Sequence, residues 1–236
     1  MPQVPTSTAI DNHLITLLPR AAGRRLLDQC ESVELVLADI LCEPGEESRH
    51  VWFPRSGFIS LIAAIDGQPT LEVGMVGREG MLGAHLVLGH LAAPLQALVQ
   101  GGGTAWRIGS KAFKVELARN PALQRCLHDY IYVLMAQLAG AAACLRFHQI
   151  GPRLARWLLM SQDRAQAEQF HVTQEFLAYM LGVRRVGVTT AAAGLQRKGL
   201  IAYRRGEMTV IDRPGLEAAA CTCYAADCQT YKHVLG

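Results

Sequence analysis

The stretch from His171 to Ile201, HVTQEFLAYMLGVRRVGVTTAAAGLQRKGLI, constrains this chain more than any other. It predicts two short helices joined by a tight turn at Gly182, because glycine adopts the left-handed conformation that ends many helices. Thr173 is a suitable N-cap for the first helix, since its hydroxyl can accept a hydrogen bond from a free backbone N–H. The buried face of this helix is predicted to carry four apolar residues: Phe176, Leu177, Met180 and Leu181.

The second helix is predicted to run from about Arg184 to Lys198, with Val188, Ala191, Ala192 and Leu195 inward. Its outward side carries hydrogen-bond donors and no acid, as a helix lying in a DNA major groove requires. An ordinary solvated helix pair is the alternative interpretation. The residues predicted to contact DNA, in both helices and the segment that follows, are Thr173, Gln174, Arg184, Arg185, Val186, Thr189, Thr190, Gln196, Arg197, Lys198, Arg204 and Arg205.

The segment from Gly199 to Ile211 strengthens the DNA-binding interpretation. It reads as two short strands joined by a polar turn at residues 205–207, which predicts a β-hairpin. A hairpin directly after a recognition helix is the wing of a winged helix-turn-helix. Charge agrees with this placement, because six basic residues and no acidic one lie between Arg184 and Arg205.

An antiparallel β-roll, similar to a double-stranded jelly roll, is predicted before this domain. Two short amphipathic helices are expected within residues 12–30, followed by six or seven short strands between Val33 and Ile108. Proline and glycine separate the strands, with a turn at Asp66-Gly67 among them. One short helix is expected at Leu86–Leu91. The fold class is therefore α+β.

A long apolar helix is predicted from Asn120 to about residue 145, with Asn120 as N-cap and Pro121 in the first turn. Ser110 is the expected N-cap of the helix before it. An exposed apolar helix needs a partner, and a two-fold dimer is the commonest arrangement. A hinge is expected at residues 148–152, then a helix over Arg153–Met160, and finally a closing helix and a loose end after Pro214.

The cysteines and the apolar segment limit cofactors and location. Tyr130–Leu145 is shorter than the roughly 20 residues that span a bilayer, and no secretory signal is apparent, so a soluble cytoplasmic protein is expected. Cys126 and Cys144 are interpreted as small hydrophobic residues. The C-terminal Cys221, Cys223 and Cys228 lack the usual paired spacing, with His233 their only nearby fourth candidate. We therefore expect no metal ion or iron–sulfur cluster.

A roll, one long apolar helix, a hinge and a winged helix-turn-helix, in this order, resemble the Crp/Fnr family of bacterial transcription regulators. The resemblance implies a sensor roll over residues 1–119, a dimerisation helix over 120–147 and a DNA-binding domain over 148–236. It also implies a homodimer that binds a palindromic site in double-stranded DNA. RNA polymerase and a small-molecule effector are the further partners it implies.

Two segments depart from the pattern of this family. The recognition helix has Arg185, Val186 and Thr190 where the best-known members carry an Arg-Glu-x-x-x-Arg set, so a different operator is expected. Ala93-Pro94 stand where cyclic-AMP-binding members hold the phosphate, and neither side chain is a donor. A cyclic-AMP site of the usual kind is thus not expected. The residues that remain candidates for an effector pocket are Glu79, Gly80, Met81, Leu82 and Gly83.

Two other functions remain as alternatives. The roll could be a dimerisation scaffold in a DNA-binding protein that takes no ligand. A cupin-like metalloenzyme is the alternative from a different class, but the eight histidines contain no His-x-His run for a metal. No nucleophile or phosphate-binding motif is present either. We therefore expect a regulator and not an enzyme.

Overall fold

The N-terminal part of the molecule is an antiparallel roll. The computed structural model describes residues 12–65, 70–165 and 169–236, so the predicted turn at Asp66-Gly67 lies outside them. Two short helices open the described chain, as predicted: α1 (His13–Thr16) and α2 (Arg20–Leu27). Asn12 caps α1 and is fully buried, and its amide donates to Pro54 O at 3.0 Å and Gly80 O at 2.8 Å. This side chain fixes the first helix to the roll.

The roll consists of two sheets whose strands all pair antiparallel, with the orders β1-β7-β3 and β2-β6-β4-β5. Its strands are β1 (Glu31–Leu35), β2 (Ile40–Cys42), β3 (His50–Pro54), β4 (Phe58–Ala63), β5 (Leu71–Val76), β6 (Gln96–Gly101) and β7 (Gly103–Gly109). Seven strands in the described residues match the sequence prediction. The first strand ends earlier than its apolar run, because Ala38 turns the chain with φ 71° and leaves Val36 and Leu37 exposed.

Two helices flank the last strands, and both differ in detail from the prediction. Helix α3 (Ala84–Val87) ends before the predicted Leu86–Leu91 segment is complete. Helix α4 (Ser110–Arg119) begins at Ser110 itself, and Gly109 occupies the N-cap position without a side-chain hydrogen bond. The prediction that Ser110 caps this helix was therefore wrong. The strand β7 continues one residue further than expected and takes up the capping position.

The long helix α5 (Pro121–Phe147) starts as predicted, with Asn120 Oδ1 accepting from Leu123 N at 3.1 Å. It has 27 residues and an 18-residue window of mean hydropathy 1.4, so it is long and apolar enough to cross a membrane. These bounds agree with the predicted helix, of which Tyr130–Leu145 is only the most apolar part. One side of the helix is nevertheless committed to protein contacts, because it packs on the roll through Leu123, Leu127, Tyr130 and Val133.

The joint after α5 is shorter than predicted. The chain breaks at residues 148–149, and α6 (Ile150–Ala165) begins three residues before the predicted Arg153. Pro152 lies in the first turn of α6, where no intrahelical partner exists for a backbone N–H. Pro152 is therefore compatible with the first turn of this helix and does not interrupt it.

The winged domain contains a strand that sequence reasoning missed. Strand β8 (Gln169–His171) pairs with β10 and makes a three-stranded sheet of order β8-β10-β9. The other elements of the domain that follow β8 are α7 (Gln174–Leu181), α8 (Arg185–Arg197), β9 (Ile201–Arg204) and β10 (Glu207–Val210). Three residues show too little periodicity to predict a strand, and the pairing with the wing decides the conformation.

The C-terminal segment is ordered and returns to the roll. Helices α9 (Arg213–Ala219) and α10 (Cys223–Leu235) follow the wing, and α10 packs along α5. Near its end Tyr231 donates to Glu79 O at 2.7 Å, and His13 Nδ1 lies 2.8 Å from the same hydroxyl. The predicted loose end was therefore wrong, because α10 makes its apolar and polar contacts with α5, α6 and the roll.

The roll and the winged domain share one hydrophobic core. Phe58, Ile62 and Met75 of the roll cluster with the buried residues of α6, α7 and α8. At this contact Trp157 of α6 donates its indole N–H to Glu72 of β5 at 2.8 Å, and Ser60 also donates to that carboxylate. Burial raises the pKa of Glu72 to about 7, and the two hydrogen bonds offset part of that increase.

Glu72 should make the stability of the fold depend on pH. Its folded-state pKa of about 7 exceeds the ordinary value of 4.5, so the folded state binds the proton more tightly. The free energy of unfolding should fall by up to about 3 kcal/mol as pH rises from 4.5 to 7. Glu72→Gln should flatten this dependence, whereas Glu34→Gln at an exposed strand position should not. Chemical denaturation across this pH range measures both, and an unchanged profile for Glu72→Gln would contradict the assignment.

Candidate nucleic-acid interface

The helix-turn-helix forms as the sequence predicts. Thr173 Oγ1 accepts from Phe176 N at 3.1 Å and caps α7, and Gly182 ends it with φ 60°. A Cβ at Gly182 would also lie 2.8 Å from Leu71 of the roll, so space as well as dihedral angle favours glycine here. The two predicted signals therefore define both ends of α7.

The second helix presents one buried and one exposed face. Val188, Ala192 and Leu195 are buried in the shared core, as predicted. Gln174 Oε1 accepts from Thr189 Oγ1 at 2.7 Å, which holds the start of α7 against α8. The other predicted residues of α8 and its ends are all exposed: Arg184, Arg185, Val186, Thr189, Thr190, Gln196, Arg197 and Lys198.

The helical period decides which exposed residues lie farthest from the core. With 100° per residue, Val186, Thr190 and Arg197 fall on the line opposite the buried face. Arg185, the first residue of the helix, lies about 130° from that line, on the flank of the buried face. Val186 is 69% exposed, an unusual position for a valine on a helix that packs against protein. The Thr190 hydroxyl donates to Val186 O at 3.0 Å, so it must rotate to reach a phosphate.

The wing turns tightly and carries two of the predicted residues. Arg204 pairs with Glu207 across the hairpin, and the two loop residues Arg205 and Gly206 have φ 54° and 88°. Positive φ at both loop positions defines the turn type that matches the twist of a hairpin. Arg204 and Arg205 are both exposed at this tip. The acid that follows the turn, Glu207, is hydrogen-bonded to His171, with its Oε1 2.7 Å from the imidazole Nδ1.

Several basic side chains of this half of the chain are held inside the protein. Arg153 is buried and donates to Leu181 O at the end of α7. Arg164 is buried and pairs with Glu79 of the roll at 2.8 Å, and Arg156 pairs with Asp227 of α10 at 2.7 Å. These three arginines therefore serve the joints between elements, and the exposed positive charge is concentrated on α8 and the wing.

The residues predicted for an effector pocket are divided by the fold. Met81, Leu82 and Gly83 line a cavity of about 200 Å³ between the roll and α5, together with Ala93 and Pro94. Glu79 instead accepts from Arg164 and from Gly77 N, outside this cavity. A Cβ at Gly80 would lie 2.4 Å from the Tyr130 hydroxyl, so this glycine permits the close approach of α5. No Arg or Lys among the described residues lines the cavity.

Comparison with known proteins identifies the domain that contains α8. Residues 152–219 match the Crp-like helix-turn-helix domain family. This part of the chain is a Crp-like helix-turn-helix domain. No curated protein matches the sequence.

Solved structures extend the likeness to the Crp-like domain together with the roll and α5. CLP from Xanthomonas campestris, described as a c-di-GMP responsive global regulator, is 18% identical with TM-score 0.65, over 81% of this chain and 99% of that chain. FixK2 from Bradyrhizobium japonicum is 13% identical with TM-score 0.63, over 81% and 98% of the two chains. A CRP family transcriptional regulator from Thermus thermophilus is 21% identical with TM-score 0.60, over 80% and 96%.

These similarities show the fold of about four fifths of the chain. It is the fold of Crp/Fnr-type DNA-binding transcription regulators, with a cyclic-nucleotide-binding-like roll and a C-terminal helix-turn-helix. The matched proteins from Xanthomonas campestris and Thermus thermophilus are described as regulators. The sequence resemblance drawn from the order of the roll, the helix and the wing is confirmed.

The cysteines are arranged differently from the sequence interpretation. Cys221 and Cys223 lie beside Cys144 and His148, and the four potential ligand atoms are all within 4.8 Å of one another. Cys228 is exposed on α10 and belongs to no such group among the residues that the structure describes. Sequence reasoning missed this cluster because its two halves are separated by more than 70 residues, and it considered His233 in place of His148.

Proposed function

We propose that this protein is a homodimeric transcription regulator that binds a palindromic site in double-stranded DNA. The observation that carries the proposal is a Crp-like domain whose second helix exposes a face rich in donors and free of acids. Phosphate contacts from Lys and Arg supply affinity, and base edges in the major groove supply sequence preference. The three-part division at residues 119, 147 and 236, the cytoplasmic location and contact with RNA polymerase remain predictions.

The dimer is proposed to form along α5. Tyr132 and Met135 are 61% and 64% exposed on this helix, large fractions for apolar residues. Ala139, Ala142 and Arg146 continue the same face at alternating spacings of three and four residues, which is the seam of a two-stranded coiled coil. This seam lies opposite the residues that pack on the roll. The small side chains of Ala139 and Ala142 allow two helices to approach closely at that point.

A two-fold axis along α5 would give the two recognition helices equivalent positions. Dimers of this motif read two half-sites roughly 34 Å apart, one turn of the duplex. Within each half-site we propose Arg185 as the reader of a guanine, through two parallel hydrogen bonds. Val186 can contact only an apolar group such as a thymine methyl. Arg197, Lys198 and the wing residues Arg204 and Arg205 are assigned to phosphates.

Arg185 and Arg197 form a matched pair for testing this assignment. Arg185→Ala should weaken operator binding by about 1–3 kcal/mol and relax the preference at one base position. Arg197→Ala should weaken binding to all sequences alike and reduce the dependence on salt concentration by about one counterion. Selection from random DNA, followed by titrations at several salt concentrations, measures both effects. The regulator hypothesis would fail if the wild-type protein showed no preference for any sequence.

The roll is proposed to take no cyclic nucleotide. The cavity of about 200 Å³ is smaller than the range of roughly 300–1,000 Å³ usual for small-molecule sites, and its lining is apolar. A small apolar effector fits this lining, and a scaffold without ligand is the alternative. Thermal-shift titrations with cyclic mono- and dinucleotides test the proposal. A nucleotide that raises the melting temperature and changes DNA affinity would contradict it.

A further inference from the structure

We propose that Cys144, His148, Cys221 and Cys223 bind one zinc ion that joins the long helix α5 to the C-terminal helix α10. The four ligand atoms lie within 4.8 Å of one another, and none belongs to the proposed DNA interface. Three cysteines and one histidine form a ligand set of the kind found in structural zinc sites. The site goes beyond the proposed function, because it requires neither DNA nor an effector.

The distances within the cluster fit a single tetrahedral ion. Zinc–sulfur and zinc–nitrogen bonds of about 2.3 Å and 2.0–2.1 Å place neighbouring ligand atoms roughly 3.4–3.8 Å apart. Cys144 Sγ lies 3.5 Å from Cys221 Sγ, and Cys223 Sγ lies 3.5 Å from His148 Nδ1. Two edges of the tetrahedron therefore already have the required length. The remaining pairs, all within 4.8 Å, need to close by about 1 Å at most.

Two separate segments bring these ligands together. Cys144 and His148 are four residues apart at the end of α5, where His148 N still donates to Cys144 O at 3.1 Å. Side chains with this spacing lie on one face of a helix. Cys221 precedes α10, and its N–H donates to Pro152 O at the start of α6. The cluster therefore contacts the end of α5, the start of α6 and the start of α10.

The surroundings suit a metal held by thiolates. Three thiolates and a neutral imidazole around Zn²⁺ leave a net charge of −1, which requires a nearby cation. Arg153 and Arg156 are both close enough to Cys144 and Cys221 to interact with them electrostatically. The Nε atom of Arg156 is buried without a hydrogen-bond partner among the described residues, and sulfurs bound to a metal accept such hydrogen bonds. Cys144 and Cys221 are themselves buried.

A disulfide between Cys144 and Cys221 accounts for less of this arrangement. Their sulfur atoms would have to approach from 3.5 Å to about 2.05 Å, and the bond would leave Cys223 and His148 without a role. Cys144, Cys221 and Cys223 are all free thiols in the structure. Four ligands with no open position favour a structural ion, which would hold the two residues of the joint, 148–149, in one conformation.

Metal content and spectroscopy of the full chain test this proposal. Protein purified under reducing conditions without chelator should contain about one zinc ion per chain. Replacement with Co²⁺ should give the visible absorption of a tetrahedral ion and thiolate-to-metal charge transfer. His148→Ala should lower the metal content and affinity strongly, and His148→Cys should restore them because a fourth thiolate can complete the site. Cys228→Ser, on the same helix but outside the cluster, should retain the ion.

Stability provides a second measurement that does not depend on any single variant. A strong zinc chelator should lower the melting temperature of the wild type and of Cys228→Ser, and should leave that of His148→Ala unchanged. The proposal is overturned if the reduced wild-type chain binds neither zinc nor cobalt. It is equally overturned if mass spectrometry finds a Cys144–Cys221 disulfide in the isolated protein, or if the protein carries an iron–sulfur chromophore.

Discussion

Replacing Met135 by aspartate is expected to convert the proposed dimer into monomers and to abolish tight operator binding. Met135 is 64% exposed on α5, where it also borders the cavity between this helix and the roll. Two-fold symmetry would place two new carboxylates near one another in an apolar seam. Burying an unpaired charge costs several kcal/mol per ion, so the dimer should weaken by about 100-fold or more.

Loss of the dimer should reduce DNA affinity more than loss of any single base contact. A monomer has one recognition helix and forfeits the gain from binding two linked half-sites. Sedimentation measurements of the variant give its oligomeric state, and titration with the selected operator gives its affinity. Val115→Asp is the matched control, because Val115 is an exposed apolar residue on α4, away from the seam. A dimeric Met135→Asp protein would place the interface elsewhere.

Trp157→Ala is expected to lower the free energy of unfolding by about 3–5 kcal/mol, the usual cost of removing a large buried aromatic side chain. Trp157 is 5% exposed and lies in the core that the roll shares with the winged domain. Its ring centroid is 6.2 Å from that of Phe170, and its N–H contacts Glu72. The variant thus loses packing and also leaves the buried carboxylate with one donor fewer.

Trp157→Phe separates the two contributions. It keeps most of the apolar packing and removes only the hydrogen bond to Glu72, so its loss should be nearer to 1–2 kcal/mol. Chemical denaturation of both variants measures the difference, and the melting temperature should fall by roughly 10 °C for Trp157→Ala. Equal losses for the two variants would mean that the hydrogen bond, and not the packing, holds the domains together. A loss below about 1 kcal/mol for Trp157→Ala would contradict a shared core.

Local signals of the chain predicted the start of α5, both ends of α7 and the turn of the wing. Asn120 and Thr173 cap their helices because each has a side-chain oxygen at the right distance from a free N–H. Gly182 ends α7 and Gly206 lies in the hairpin turn because glycine adopts positive φ at little cost, whereas Arg205 takes φ 54° in the same turn without that advantage. Ser110 failed as a cap because residue preference is a local tendency, and the continuation of β7 through Gly109 displaced it.

Contacts between distant segments could not be predicted in this way. The strand β8 has three residues and forms only because β10 supplies its partner. Glu79 was expected in an effector pocket, yet Arg164, 85 residues later in the chain, draws its carboxylate to the joint with the winged domain. The C-terminal helix was interpreted as a loose end because its apolar residues have no visible partner until α5 is placed beside it.

The sequence by itself determined the order of a roll, an apolar helix and a winged helix-turn-helix, and it placed the basic residues on the second helix and the wing. Periodicity, caps and turn residues act within a few positions, so one chain read in order is sufficient for them. Only the tertiary structure decided that Glu72 meets Trp157, and that Cys144 and His148 meet Cys221 and Cys223. Such groups depend on how helices pack, and packing joins residues whose separation in sequence carries no signal.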